Sequence, residues 1–174
     1  MTKGRFIGVV VMALAAIFLV SFTLGRAIYE GRTPGMTSFA LIHFAGYLFF
    51  LLMPVEALVP VYQAEGHAVI PLVVVAVVTA VAAQLIDYGI GRAVSDRVIH
   101  GFIGEKRFAR FEDKIRRWGG GAIFLFNLFP LSSPNMLLVA GVTRFSMPWA
   151  FFYSTLGLTA KYLTIAYLFR AAVG

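Results

Sequence analysis

The sequence predicts an all-α polytopic membrane protein. It should have transmembrane helices and two opposed re-entrant helix–break–helix segments, arranged as an inverted repeat. Three observations carry this expectation. Of the 174 residues, 60% are hydrophobic and only 13% charged, where a soluble domain has about 45–50% and about 25%. Mean hydropathy is +0.85, and several apolar runs approach or reach the ~20 residues that cross a bilayer. Two of those runs are interrupted by a pair of prolines with polar residues at the interruption, the usual way to build a transport site at membrane depth. The chain divides into an N-terminal transmembrane helix and turn, 1–35, and a membrane domain, 36–174.

Taken in order, Lys3 and Arg5 precede an apolar run from Phe6 to Leu24, long enough to span. A cleaved signal peptide has a shorter apolar core and a small-residue cleavage site, so a retained helix is expected. Pro34 and Gly35 end the following polar turn. Phe39–Met53 is short for a span and has the length of a re-entrant or buried segment. His43 on it reads as a hydrogen-bonded packing residue. The run continues as FLLMPVEALVP, in which Pro54 and Pro60 bracket Glu56. Ala68–Ile86 is rich in valine and alanine and spans easily, with Ala76, Ala80, Ala82 and Ala83 permitting close helix approach.

Asp87 and Arg92 follow at what reads as the end of that span, as anchors that snorkel to the interface. Their spacing favours a Tyr88–Arg92 pair over Asp87–Arg92. In Glu105–Trp118, Phe108, Phe111, Ile115 and Trp118 recur at helical spacing among charges, an amphipathic helix resting its apolar stripe on the bundle. The second broken run, AIFLFNLFPLSSPNMLLVAGV, has Pro130 and Pro134 around Ser132 and Ser133, with Asn127 and Asn135 outside them. Polar atoms and breakers at membrane depth are tolerated where they are buried or line a cavity. A helix then restarts at Met147 or Pro148, and the last span, from about Trp149 to Phe169, contains Lys161.

The net charge of +7 is concentrated between Arg92 and Arg117. Four acids are mixed into that stretch, which suits a cytoplasmic segment beside anionic lipid better than a nucleic-acid site. If Phe39–Pro60 enters and returns on one side, Ala68–Ile86 brings this segment to the cytoplasm, as the positive-inside tendency requires. A full crossing would place it outside. The second broken run then enters from the cytoplasmic side. The expected location is the cytoplasmic (inner) membrane, multi-pass, with the N-terminus and the 92–118 basic segment cytoplasmic.

Several chemistries are excluded or disfavoured. There are no cysteines, so disulfides and thiolate metal sites are ruled out. Gly89-Ile90-Gly91 lacks the third glycine and the preceding strand of a nucleotide loop. Ser132-Ser133 has no histidine nearby for a hydrolase. No acid–base pair or metal cluster stands out, so neither enzyme activity nor a cofactor is expected. A carboxylate at membrane depth is costly and by default functional. Glu56 therefore leads the transport candidates, either as a proton carrier or paired with Lys161 or Arg92. Asp87, Arg92, Asn127, Ser132, Ser133 and Lys161 complete them, with Pro54, Pro60, Pro130 and Pro134 as the helix breaks.

Several stretches together resemble the DedA (VTT, SNARE-associated) superfamily. They are MPVEALVP (Pro54, Glu56, Pro60), YGIGR (Tyr88, Gly91, Arg92), FP followed by LVAG (Phe129, Pro130, Ala140, Gly141), and the closing FSMPWAFFYSTLG (Phe145, Gly157). The resemblance covers 39–167. It implies two re-entrant helices facing each other. It also implies translocation of lipids, polyprenyl phosphate carriers or phospholipids, coupled in several bacterial members to protons or sodium ions. The chain departs from the family pattern at Asn127 and Ser133, where arginines are frequent, at Gln84, where an acid is common, and at Ser95, where glycine is usual. Two arginines would clamp a phosphate bidentately. Asn127, Ser132, Ser133 and Asn135 can hydrogen-bond a head group without neutralising it. The expected function is a lipid translocase or scramblase, possible proton coupling included, with membrane lipids as partners and a homo-oligomer left open. The alternatives are a small-ion or solute transporter and a non-transporting membrane scaffold.

Overall fold

The computed structural model describes residues 35–49, 55–93, 104–129 and 133–173. The expected first span Phe6–Leu24, together with Pro54, Pro130 and Ser132, lies outside the described residues. Among those described, the chain is all-helical. The helices are α1 (Met36–Phe49), α2 (Leu58–Ala64) after a tight helical turn Val55–Ala57, α3 (Val69–Ala93), α4 (Glu105–Trp118), α5 (Gly120–Leu128), α6 (Ser133–Val142) and α7 (Met147–Val173).

Among the described residues, α3 is long and apolar enough to cross a membrane. Its 25 residues give a length of about 37 Å at 1.5 Å per residue. It runs past the expected end at Ile86 to Ala93, which puts Asp87 inside the helix and not at its end. α7 has 27 residues but carries Ser154, Thr155, Thr159 and Lys161 along its length.

Two of the expected helix breaks prove to be helix starts. Pro60 lies in the first turn of α2 and Pro134 is the second residue of α6. In a first turn the proline's missing N–H has no intrahelical acceptor to lose, and its fixed φ suits the helix. Pro148 occupies the same place in α7. α4 is amphipathic as the spacing requires: Phe108, Phe111 and Ile115 are buried against the bundle while Trp118 is exposed. It stops at Gly119, whose φ of 53° and ψ of −129° are costless only for glycine.

The contacts fix the direction of most helices. Thr79 and Tyr162 are both bonded to His43, and Gln84 meets Ser154, so α3 and α7 run antiparallel. The Ser38 and Tyr62 hydroxyls are hydrogen-bonded, while Tyr47 and Glu56 share Lys161, so α1 and α2 run in opposite directions. Glu56 to Lys161 and Gln63 to Ala166 set α2 alongside α7 in the same sense. Gly120 lies against Tyr153 and Gly157 against Phe124, so α5 runs with α7. α5 ends level with Gln84, through Asn127, and α6 crosses α3 where Gly91 and Gly141 meet its backbone and that of α3.

α1 thus packs on α3 and α2 on α7, while α5 packs on α7 and α6 on α3. The closest approach is between α3 and α6. A Cβ at Gly91 would lie 2.0 Å from the Leu138 carbonyl oxygen, and one at Gly141 would lie 2.2 Å from that of Tyr88. One apolar core surrounds Phe39, Tyr47, Tyr62, Leu72 and Tyr162. A second joins Tyr88, Phe111, Ile123, Met136 and Leu137.

Candidate functional site: two buried polar clusters

Buried His43, Lys161, Gln84, Asn127 and Ser154 belong to two clusters at successive levels of the α3–α7 pair. The first is built on α1. Phe39, His43 and Tyr47 follow at intervals of four and share one face, which turns toward α7. Lys161 enters from α7. Its amine donates to Glu56 Oε1 at 2.9 Å and to the Tyr47 hydroxyl at 2.9 Å. It also lies 5.4 Å from the Tyr47 ring centroid and 5.1 Å from that of Tyr162, within cation–π range. Lys161 is 2% exposed and the Glu56 side chain 19%, so the pair has a buried cation and a partly open anion.

From Lys161 a chain of hydrogen bonds runs to α3. The Tyr47 and Tyr162 hydroxyls are bonded, Tyr162 meets His43 Nε2 at 2.7 Å, and His43 Nδ1 meets Thr79 Oγ1 at 2.8 Å. The Thr79 hydroxyl donates to the Val75 carbonyl at 2.7 Å. Both ends impose a direction. An ammonium can only donate and a carbonyl can only accept. Thr79, having given its proton to Val75, accepts from His43 Nδ1–H, so Nε2 accepts from Tyr162. At the other end Tyr47 accepts from Lys161. His43 is held as the neutral Nδ1–H tautomer, with both nitrogens used.

The second cluster is neutral. Gln84 Nε2 donates to Asn127 Oδ1 at 2.6 Å, the Ser154 hydroxyl donates to Gln84 Oε1, and Asn127 Nδ2 donates to the Ile123 carbonyl at 2.8 Å. Three elements, α3, α5 and α7, are tied here with no formal charge. Amides supply a donor and an acceptor apiece, so such a cluster can close on itself.

The candidate residues are therefore not gathered into one site. Glu56 and Lys161 form a pair, and Asn127 belongs to the other cluster. Asp87, expected as a snorkelling anchor, is 6% exposed and its Oδ2 has no hydrogen-bond partner. The helix continues past it for another turn and a half, which removes the route to water that snorkelling needs. Arg92 donates to the Tyr88 hydroxyl at 3.0 Å, the i,i+4 partner, and Tyr88 in turn donates to the Phe145 carbonyl at 2.6 Å. Ser133 opens α6. Sequence reasoning missed Tyr47, Tyr162, Thr79 and Ser154. The four-residue recurrence of Phe39, His43 and Tyr47 was the available signal for the first. Thr79 and Tyr162 become partners only when α3 and α7 both pack on His43 of α1, and Ser154 only when α7 lies beside α3. No group of three or more metal-ligating side chains occurs among the described residues.

No family model, no curated protein and no solved structure matches the chain.

Proposed function

We propose that this chain is a multi-pass membrane protein that carries lipid head groups across the bilayer, with α1–α2 and α5–α6 as opposed re-entrant hairpins of an inverted repeat. One observation carries the reading: an ion pair, Lys161–Glu56, held in the interior of a bundle whose outer surface is itself apolar. Ile70, Val74, Val78 and Leu85 on α3, and Trp149, Phe152, Leu156 and Leu168 on α7, are exposed. His43, Gln84, Asp87, Asn127, Ser154 and Lys161 are inside. That inversion suits hydrocarbon as the surrounding solvent, and ionisable groups kept inside it mark a transport path. The basic face of α4 lies on the cytoplasmic side under this reading, with the N-terminus. The resemblance to the DedA superfamily points the same way, and proton or sodium coupling would be consistent with it.

The experiment is a head-group flipping assay in liposomes. The wild-type chain accelerates flipping, and Glu56→Gln loses the acceleration while remaining folded. Unchanged flipping in Glu56→Gln removes the ion pair from the mechanism. A second reading, a small-ion transporter, is favoured by the unpartnered Asp87 carboxylate, which offers a free oxygen to a cation. Sodium flux abolished by Asp87→Asn, without any lipid flipping by wild type, would select it.

A further inference from the structure

The Lys161–Glu56 pair is asymmetric in a way that bears on what else Lys161 holds. Lys161 projects from the middle of the 27-residue α7, is buried, and has no route to water. Glu56 sits on a single helical turn between α1 and α2, with its side chain partly open. A buried ammonium left without an anion is strongly unfavourable. Whenever the Glu56 turn moves, another anion must take its place or the amine is stranded. The other groups facing the amine, Tyr47 and Tyr162, are neutral hydroxyls and rings, and His43 beyond them has both nitrogens committed. Asn127 on α5, where an arginine could have met an anion, is bonded to Gln84 and Ile123.

We infer that Lys161 Nζ and the Tyr47 hydroxyl form an oxyanion site that Glu56 occupies in this structure as an internal competitor. The external occupant is an oxyanion with two or more acceptor oxygens, presented by a lipid head group. It replaces the Glu56 carboxylate on the amine, and Glu56 turns toward the open side, where its charge is solvated. This deepens the lipid-translocation reading and rests on it. The tethered carboxylate is present at an effective concentration in the millimolar range or above. The site therefore binds weakly while Glu56 is charged and in place, and tightly once Glu56 is removed. That is the reverse of what a purely structural ion pair predicts.

The test uses the full chain in detergent micelles and short-chain phosphatidylglycerol, phosphatidylcholine and inorganic phosphate as probes, with binding read by native mass spectrometry and by the shift in melting temperature. Glu56→Gln is expected to bind phosphatidylglycerol about tenfold or more tighter than wild type, as for one charged hydrogen bond freed from competition. Glu56→Asp, which keeps the charge but withdraws it by one methylene, gains less and decides the matter if Glu56→Gln does not fold. The gain disappears in Glu56→Gln/Lys161→Met, and phosphatidylcholine gains less than phosphatidylglycerol. Binding by the Glu56 variants equal to wild type overturns the site, as does a gain that survives Lys161→Met. A gain for inorganic phosphate alone overturns the lipid head group as the occupant. A wild-type chain that flips no lipid, with the binding gain intact, sinks the transport reading and leaves the oxyanion site standing.

Discussion

Removing either partner of the Lys161–Glu56 pair should cost different amounts, and the sign of the difference follows from burial. Glu56→Gln leaves an ammonium that is 2% exposed facing an amide. Stranding one charge of a buried pair costs about 3–5 kcal/mol. Lys161→Met removes the buried charge itself and substitutes an apolar chain of similar length. Glu56 remains, but its side chain is 19% exposed and can turn to water, so the loss is that of ordinary hydrogen bonds, about 1–2 kcal/mol. The double variant Glu56→Gln/Lys161→Met has no charge to strand and should recover most of the Glu56→Gln loss, since apolar replacements of buried pairs are often neutral. At roughly 2–4 °C per kcal/mol for a chain of this size, Glu56→Gln should melt about 10 °C below wild type and Lys161→Met only a few degrees below. Melting in micelles followed by circular dichroism measures all four corners of the cycle. The reasoning fails if Lys161→Met is the more damaging single change, or if the double variant is as unstable as the sum of the singles.

Three further outcomes are expected. Gly91→Ala should cost about 1–3 kcal/mol or more because the new methyl meets the Leu138 carbonyl. Gly89→Ala, two residues away with nothing within 4 Å, should instead stabilise α3 by about 1 kcal/mol, and equal melting temperatures for the two would contradict the α3–α6 contact. Asp87→Asn should be neutral or stabilising, since the oxygen it replaces has no donor; a loss above about 1 kcal/mol in the same melt would mean that a partner is made. Thr79→Val deletes the acceptor of His43 Nδ1–H but leaves Tyr162 on Nε2, so nitrogen-15 spectra of the imidazole should keep the Nδ1–H tautomer with a shifted Nδ1–H signal; a switch to the Nε2–H tautomer would contradict the assigned direction of the chain.

Much of the fold is legible in local pattern. The 3.6-residue recurrence of Phe108, Phe111 and Ile115 specifies α4 and its buried face, and Met147-Pro148 marks the start of α7. Pro60 and Pro134 read as breaks in the sequence for a reason that is also local. A proline announces that a helix does not continue through it from the N-terminal side, but the same residue is at home in a first turn. Pro60 and Pro134 thus mark where helices begin. Asp87 was misplaced because an apolar count ends a span at the first charge, while the backbone hydrogen bonds of α3 carry on to Ala93. The polar clusters were less accessible. Lys161 and Tyr47 are separated by 114 positions and Gln84 and Ser154 by 70, so their pairing is a property of how α1 and α3 pack against α7 and not of any one stretch.

The interlocked packing constrains how such a molecule can move. The α1, α2 pair and the α5, α6 pair each straddle the two long helices, one member on α3 and the other on α7. Neither long helix can swing away without tearing a short helix from its neighbour. Relative sliding of α3 and α7 is different: it would be felt at two levels at once, pulling on the Thr79–His43–Tyr162 chain at one and drawing Gln84 from Ser154 at the other. The two clusters are in effect a pair of latches on a single bolt. A slide large enough to break the Thr79–His43–Tyr162 chain must also open the neutral cluster, while the Lys161–Glu56 pair, held between α7 and the turn before α2, can open without moving the bolt.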